Sequence, residues 1–420
     1  MKKKLLLSVV ALGLLLASCG QPAASPTPTE VAPEPTATVE PTKTASSTLV
    51  DTVEPALADR IQTFEQEIEL LCEELSIPGM SVAVLRGQEV VFARGFGYAD
   101  VENETPATEN TPYHIASLTK PFAAAVMMQL VEAGQLDLDA EMAEILKDAS
   151  FTFPPPATDT IHGYASLCET LVELSKATSG PFAPFAPLFQ DYHCDTERIT
   201  VKHHLTHTSQ GTPGEAYRYN GFLYGLLSWV VEAAAEESFA DLLVENIIGP
   251  LEMTSTIPNP SDSRRQQALA ELAKPYRVDE AGDVVLSEDP GEGLSAAAGM
   301  ISTVLDLAKF DVAMDRNLIV SAESKAAMFT PTLSNSGQPL PYGMGWFVQE
   351  HEGSQLLWHY GHEPDAYSSL ILKVPEEELT LILLANSGGA SAPFNLGDGN
   401  VLRSPFAVTF LNLFTDLEVE

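Results

Sequence analysis

Strand-like runs at both ends of this 420-residue chain, separated by a largely helical middle, constrain its fold more than any other feature. Near the N-terminus, Met80-Ser81-Val82-Ala83-Val84-Leu85 and Glu89-Val90-Val91-Phe92-Ala93 flank the turn Arg86-Gly87-Gln88, which is the pattern of a hairpin. Gly95-Phe96-Gly97-Tyr98-Ala99-Asp100 continues that edge. In the last hundred residues, further strands are predicted over 342–348, 355–359, 367–373 and 379–386, followed by a helix over 407–414. Between the two sets, helical periodicity runs over 56–75, 117–134, 164–176, 222–235, 241–248 and 304–314. A short helix capped by Thr200 precedes the turn at Gly211. Strands at both ends that enclose helices imply one antiparallel sheet built by the two chain ends. The predicted class is therefore α/β (α+β): a sheet flanked by helices, with an inserted, mainly helical domain. With 45% of residues hydrophobic, the chain can bury a core of that size.

The first fifty residues belong to a different regime. Lys2-Lys3-Lys4 precede an apolar stretch over 5–16 that is too short to span a bilayer comfortably. That stretch ends in Leu16-Ala17-Ser18-Cys19-Gly20, which resembles the lipobox of bacterial lipoproteins. The favoured reading is a signal peptide over 1–18, with Cys19 lipidated and anchored to a membrane. An ordinary secretory signal with a chance cysteine is the alternative, and either way the protein is exported. Residues 19–50 follow as a tether, with six prolines and seven threonines between positions 21 and 48. The globular domain is assigned to 51–420, with a proline-rich insertion at about 150–197 placed to shape a cleft. A formal charge of −36 repels phosphate backbones and anionic headgroups, so nucleic acid is rejected as a partner. Cys72 reads as a buried thiol. Whether Cys168 and Cys194 form a disulfide stays open.

Chemistry concentrates at Ile115-Ala116-Ser117-Leu118-Thr119-Lys120. A serine three residues before a lysine shares a helical face with it, which sets a hydroxyl nucleophile beside an amine able to take its proton. The serine also lies near the N-terminus of a helix, where the macrodipole favours an oxyanion. On its own the tetrapeptide reads first as a helix-capping serine with an exposed lysine. His203 and His207 have the i, i+4 spacing of a zinc pair, but no glutamate follows His203 and no third ligand lies nearby. No metal and no cofactor are expected.

Further motifs change the weight of Ser117. In order along the chain stand Ile77-Pro78-Gly79-Met80-Ser81-Val82-Ala83-Val84, the glycine-rich run from Gly95 to Asp100, the Ser117–Lys120 stretch, and Leu130-Val131-Glu132-Ala133-Gly134-Gln135-Leu136-Asp137-Leu138. After them come His204-Leu205-Thr206-His207-Thr208-Ser209, Ala298-Gly299-Met300-Ile301-Ser302-Thr303, Tyr342-Gly343-Met344-Gly345-Trp346, and His359-Tyr360-Gly361. In this series the chain resembles the serine β-lactamase and penicillin-binding-protein-like hydrolases, in the branch of class C β-lactamases, DD-peptidases and esterases. The resemblance implies a serine hydrolase that acts through an acyl-enzyme on an ester or amide of a small molecule or peptide. Ser117 becomes the nucleophile and Lys120 its proton acceptor. Tyr219, in Tyr219-Asn220-Gly221, takes the place of the family's Y-x-N phenol, with Tyr217 as the lesser alternative. The asparagine stands one residue early, at Asn220, and Gly221 occupies its usual place. His359 and Gly361 stand for the K-T-G element, and the oxyanion hole is expected from the backbone N–H groups of Ser117 and His362. A non-catalytic protein that binds a peptide in the same cleft is the alternative function.

Overall fold

The computed structural model describes residues 55–152, 160–178, 183–194, 198–258, 265–288, 290 and 293–419. The expected signal peptide, Cys19 and the expected tether lie outside the described residues. Helix α1 (Pro55–Glu74) leads into the hairpin β1 (Gly79–Arg86) and β2 (Glu89–Asp100), and a short β3 (Thr105–Pro106) pairs with the end of β2. Helix α2 (Thr119–Glu132) follows. The middle of the chain contributes α3 (Tyr164–Ser175), α4 (Val201–Leu205), α5 (Gly221–Gly225) and α6 (Leu227–Ala235). It ends in α7 (Phe239–Leu243), which runs on into a π-helical turn over Val244–Ile248. Helix α8 (Val304–Asp315) then precedes β4 (Phe347–His351), β5 (Ser354–Glu363), β6 (Tyr367–Val374) and β7 (Leu379–Ala385), and α9 (Pro405–Phe414) closes the chain.

The sheet order is β4-β5-β6-β7-β1-β2-β3, antiparallel throughout. The two ends of the chain meet where β1 pairs with β7, from Met80 opposite Ala385 to Arg86 opposite Leu379. Every residue of β6 and β7 is buried, because helices cover both faces. On one face Phe64 of α1 meets Phe414 of α9 edge-to-face at 5.3 Å. On the other, Phe310 of α8 stacks on Phe122 of α2 at 3.8 Å, which fixes α2 beneath the sheet.

Some elements differ from expectation for packing reasons. The strand expected over 342–348 begins only at Phe347. Ahead of it the chain threads a tight passage: a Cβ at Gly343 would lie 2.2 Å from the Met328 carbonyl oxygen, and Gly345 has φ +79° with the Ala124 Cβ in its way. The helix expected over 222–235 is broken into α5 and α6 at Leu226. Cys168 and Cys194 do form a disulfide, with Cα atoms 5.6 Å apart, which ties α3 to the end of the insertion. Cys72 is free, its thiol pushed up to about 12 by burial.

Candidate active site

Ser117 sits in a 3-10 turn, Ala116–Leu118, that runs straight into α2. The residue before it, Ala116, has φ +47°, a left-handed conformation that an L side chain adopts only when its surroundings impose it. Those surroundings are specific. The Ile115 N–H donates to the Met300 carbonyl at 3.0 Å, and Ser369 Oγ on β6 donates to the Ile115 carbonyl at 2.9 Å. Thr119 Oγ1 donates to the Ala116 carbonyl at 2.8 Å. Gly361 on β5 completes the seat, since a Cβ there would lie 2.3 Å from the Ile115 oxygen and 3.2 Å from the Ala116 Cβ. The turn is thus held by two strands of the C-terminal half.

Lys120, one helical turn on, is fully buried. Its Nζ donates to Ser117 Oγ at 2.8 Å and to the Ala297 carbonyl at 3.0 Å, with the rings of Tyr219 and Tyr224 at 5.0 and 5.3 Å. Burial lowers its pKa to about 7, so near neutrality a large share of the molecules carry an uncharged amine beside the serine hydroxyl.

Two phenols compete for the third position, and hydrogen bonding separates them. Tyr217 donates to the Gly397 carbonyl at 3.0 Å, so its hydroxyl is engaged. Among the described residues the buried Tyr219 hydroxyl makes no hydrogen bond of good geometry, although the nearby Ser117 side chain favours its ionised form. Burial outweighs that influence and holds the phenol well above its ordinary pKa, in its protonated form. An unengaged hydroxyl beside a serine and a half-neutralised lysine can donate to or accept from an atom placed there.

The remaining expected residues divide. His359 is fully buried, its Nδ1 facing the Tyr360 carbonyl at 2.7 Å and its Nε2 facing the Tyr342 hydroxyl at 3.0 Å. Burial and the charge of Lys120 hold it well below its ordinary pKa. His359, which the resemblance sets in the place of the K-T-G lysine, is therefore neutral, with both ring nitrogens facing oxygen atoms of the protein. Asn220 is a correction. It caps α5 by accepting from the Leu223 N–H at 3.0 Å, and its NH2 group donates to the Leu188 carbonyl and to Gln210 Oε1. Its amide is thus engaged by groups of the protein itself. At Gly221, where the resemblance expects that amide, a Cβ would meet only Lys120 Nζ, at 4.0 Å, which leaves open space above the lysine. His362 follows Gly361 on β5, its buried Nδ1 without a hydrogen-bond partner among the described residues, and lines a cavity of about 330 Å³ that Arg277 and Asp365 also line. His203 and His207 are occupied locally: Nδ1 of His203 accepts from the Thr200 N–H, and Nδ1 of His207 accepts from the Asn220 N–H.

Sequence reasoning did not anticipate Tyr224, the Ala297 carbonyl or Ser369. The first two hold Lys120 and the third holds the turn, yet each lies more than 100 residues from its partner and carries no local signal.

Comparisons with known proteins agree with this architecture. The family model described as Beta-lactamase matches residues 57–402. A penicillin-binding protein of Bacillus subtilis is 26% identical over 324 residues, which cover 73% of this chain and 67% of that protein. Protein flp of Staphylococcus aureus is 24% identical over 340 residues, covering 80% of this chain and 65% of its own length. The chain therefore spans about two thirds of these curated relatives. Among solved structures, the octameric penicillin-binding protein homologue from Pyrococcus abyssi superposes with a TM-score of 0.61 at 26% identity, over 84% of this chain and 78% of that one. The D-amino acid amidase from Ochrobactrum anthropi shares the fold, with a TM-score of 0.61 at 21% identity over 84% of this chain and 98% of its own.

Proposed function

The chain belongs to the beta-lactamase family, and on that premise we propose that it is a serine hydrolase acting on an ester or amide through an acyl-enzyme at Ser117. One observation carries the reading: Lys120 Nζ lies 2.8 Å from Ser117 Oγ, and burial alone brings its pKa to about 7. In this mechanism the neutral Lys120 amine takes the hydroxyl proton as Oγ attacks the substrate carbonyl carbon. The tetrahedral oxyanion is stabilised by the backbone N–H groups of Ser117 and His362. Tyr219, protonated and unengaged, relays the proton from Lys120 to the departing alcohol or amine. Water then attacks the Ser117 ester, gives up a proton over the same groups and releases the acid.

Two residues weigh on the choice of substrate. The neutral, enclosed His359 supplies no charge for a substrate carboxylate, and Gly221 supplies no amide to orient one. Both favour peptidase- or esterase-like chemistry, with only weak β-lactamase or DD-carboxypeptidase activity. The same proposal places the enzyme in the cell envelope, exported and held by a lipid on Cys19.

Labelling with a fluorophosphonate and with a fluorescent penicillin, each against Ser117→Ala, tests the reading. The penicillin is a natural probe because a similar Bacillus subtilis protein is named for binding it. A Ser117-dependent adduct with the fluorophosphonate is expected, with slower labelling by the penicillin. Absence of a Ser117-dependent adduct with either probe would instead point to a non-catalytic member that binds a peptide in the same cleft.

A further inference from the structure

Among the described residues the Tyr219 hydroxyl makes no hydrogen bond of good geometry, and its ring packs on His207 at 4.5 Å, Tyr360 at 5.6 Å and Phe347 at 5.9 Å. The main chain on either side is fixed by His207, whose carbonyl accepts from the Arg218 N–H at 2.8 Å and whose Nδ1 accepts from the Asn220 N–H at 3.1 Å, while the side chains of the same two residues reach into the insertion. Asn220 donates to the Leu188 carbonyl at 2.6 Å and to Gln210 Oε1 at 3.0 Å. Gln210 in turn donates to the carbonyls of Leu188 and Gln190 at 2.9 and 3.1 Å. On the other side of Tyr219, Arg218 pairs with Asp191 at 2.9 Å and donates to the Gln190 carbonyl at 3.2 Å. The Gly211 N–H donates to the Asp191 carbonyl at 2.9 Å, and Phe189 meets Phe222 edge-to-face at 5.2 Å.

Asn220 and Gln210 are both almost completely buried, so the bond between their side chains is shielded from water. The grip is fastened in its turn. The Cys168–Cys194 disulfide ties residue 194 to α3, and the Tyr164 hydroxyl bridges Tyr192 and His204 at 2.8 Å each.

We propose that the inserted segment 183–194 is a disulfide-braced clamp that positions Tyr219 for the reaction, with Asn220 and Gln210 as positioning residues. The proposal rests on the reading of Tyr219 as the proton relay. A catalytic group must be held within about half an ångström of its productive place, and a misplacement of about 1 Å lowers the rate roughly a hundredfold. Ring packing places the body of Tyr219, and the clamp adds a further constraint through the side chains on either side of it. The brace is also chemically reversible. A small dithiol that attacks the disulfide is oxidised to its own cyclic disulfide and returns Cys168 and Cys194 as two thiols, which frees the end of the clamp from α3. In an oxidising compartment the bond stays closed.

Asn220→Asp separates clamp from helix cap, because aspartate caps a helix as well as asparagine but cannot donate to Leu188 or Gln210. On a neutral ester, its kcat should fall about tenfold or more while KM stays within about twofold. Amide exchange over residues 217–223 should rise, both in this variant and in Cys168→Ser/Cys194→Ser. Placed in a Tyr219→Phe background, Asn220→Asp should cause no further loss, since its effect acts through the phenol. Multiplying losses in the double variant, an unchanged kcat in Asn220→Asp, or unchanged exchange after the disulfide is removed would each overturn the clamp. Full activity in Tyr219→Phe, with Ser117 still labelled, would overturn the relay and the clamp together and leave the serine hydrolase standing.

Discussion

Lys120 shows how a residue acquires chemistry from its surroundings. Among the described residues no carboxylate pairs with it, and its amine meets only a hydroxyl, a carbonyl and two aromatic faces. Burial therefore acts unopposed and lowers its pKa from 10.5 to about 7. The sign is definite: below about 7 the group is an ammonium unable to accept the Ser117 proton, and above it an amine that can. The value of kcat/KM on a neutral ester should therefore rise with pH to a plateau, with a midpoint near 7 in a pH–rate profile. A midpoint close to 10, near the ordinary value of a lysine, would refute the lowering of the Lys120 pKa by burial. The Ser117–Lys120 pairing was legible in the sequence because i, i+3 geometry is local. The reactivity of the pair was not, because Tyr219 and Tyr224 come from a segment 100 residues away. His359 is the converse case. Its type and place were legible, but its neutrality follows from burial beside Tyr342 and Lys120.

At the level of elements, one strand seats one turn. Strand β5 brings Gly361 so close to the Ile115–Ala116 segment that a Cβ has no room, at 2.2 Å from Ser369 Oγ and 2.3 Å from the Ile115 oxygen. Gly361→Ala must push the strand and the turn apart, and His362, the next residue, moves with the strand. Loss of one oxyanion donor costs about 3–4 kcal/mol in the transition state, so kcat should drop roughly 10²–10³-fold with a smaller change in KM. Steady-state kinetics alongside Ser117 labelling check this, and a kcat within about threefold of the parent would refute the contact's importance. Strands β5, β6 and β7 were visible in their apolar runs. The stretch before β4 was misread as strand because its aromatic and apolar residues carry a strand pattern, whereas close packing at Gly343 and Gly345 against residues 328 and 124 makes it a loop.

At the scale of the whole molecule, the sheet is closed by pairing β1 with β7, so the halves of the active site are joined by the same contact that joins the chain ends. No helix among the described residues is long and apolar enough to cross a membrane, and the membrane attachment proposed above is the lipid on Cys19. Cys19→Ala should move the protein from the membrane pellet to the soluble fraction in a fractionation experiment. Retention in the pellet would refute lipid anchoring. By itself the sequence determined the fold class, the serine–lysine pair and the glycine of the closing strand. These follow from periodicity, short spacings and steric demands carried along the chain. Tertiary structure decided which phenol is free, that His359 is neutral, that Asn220 turns towards the insertion, and that Cys168 meets Cys194. Each of those depends on burial and on partners brought together from distant segments, and neither quantity can be read from neighbouring residues.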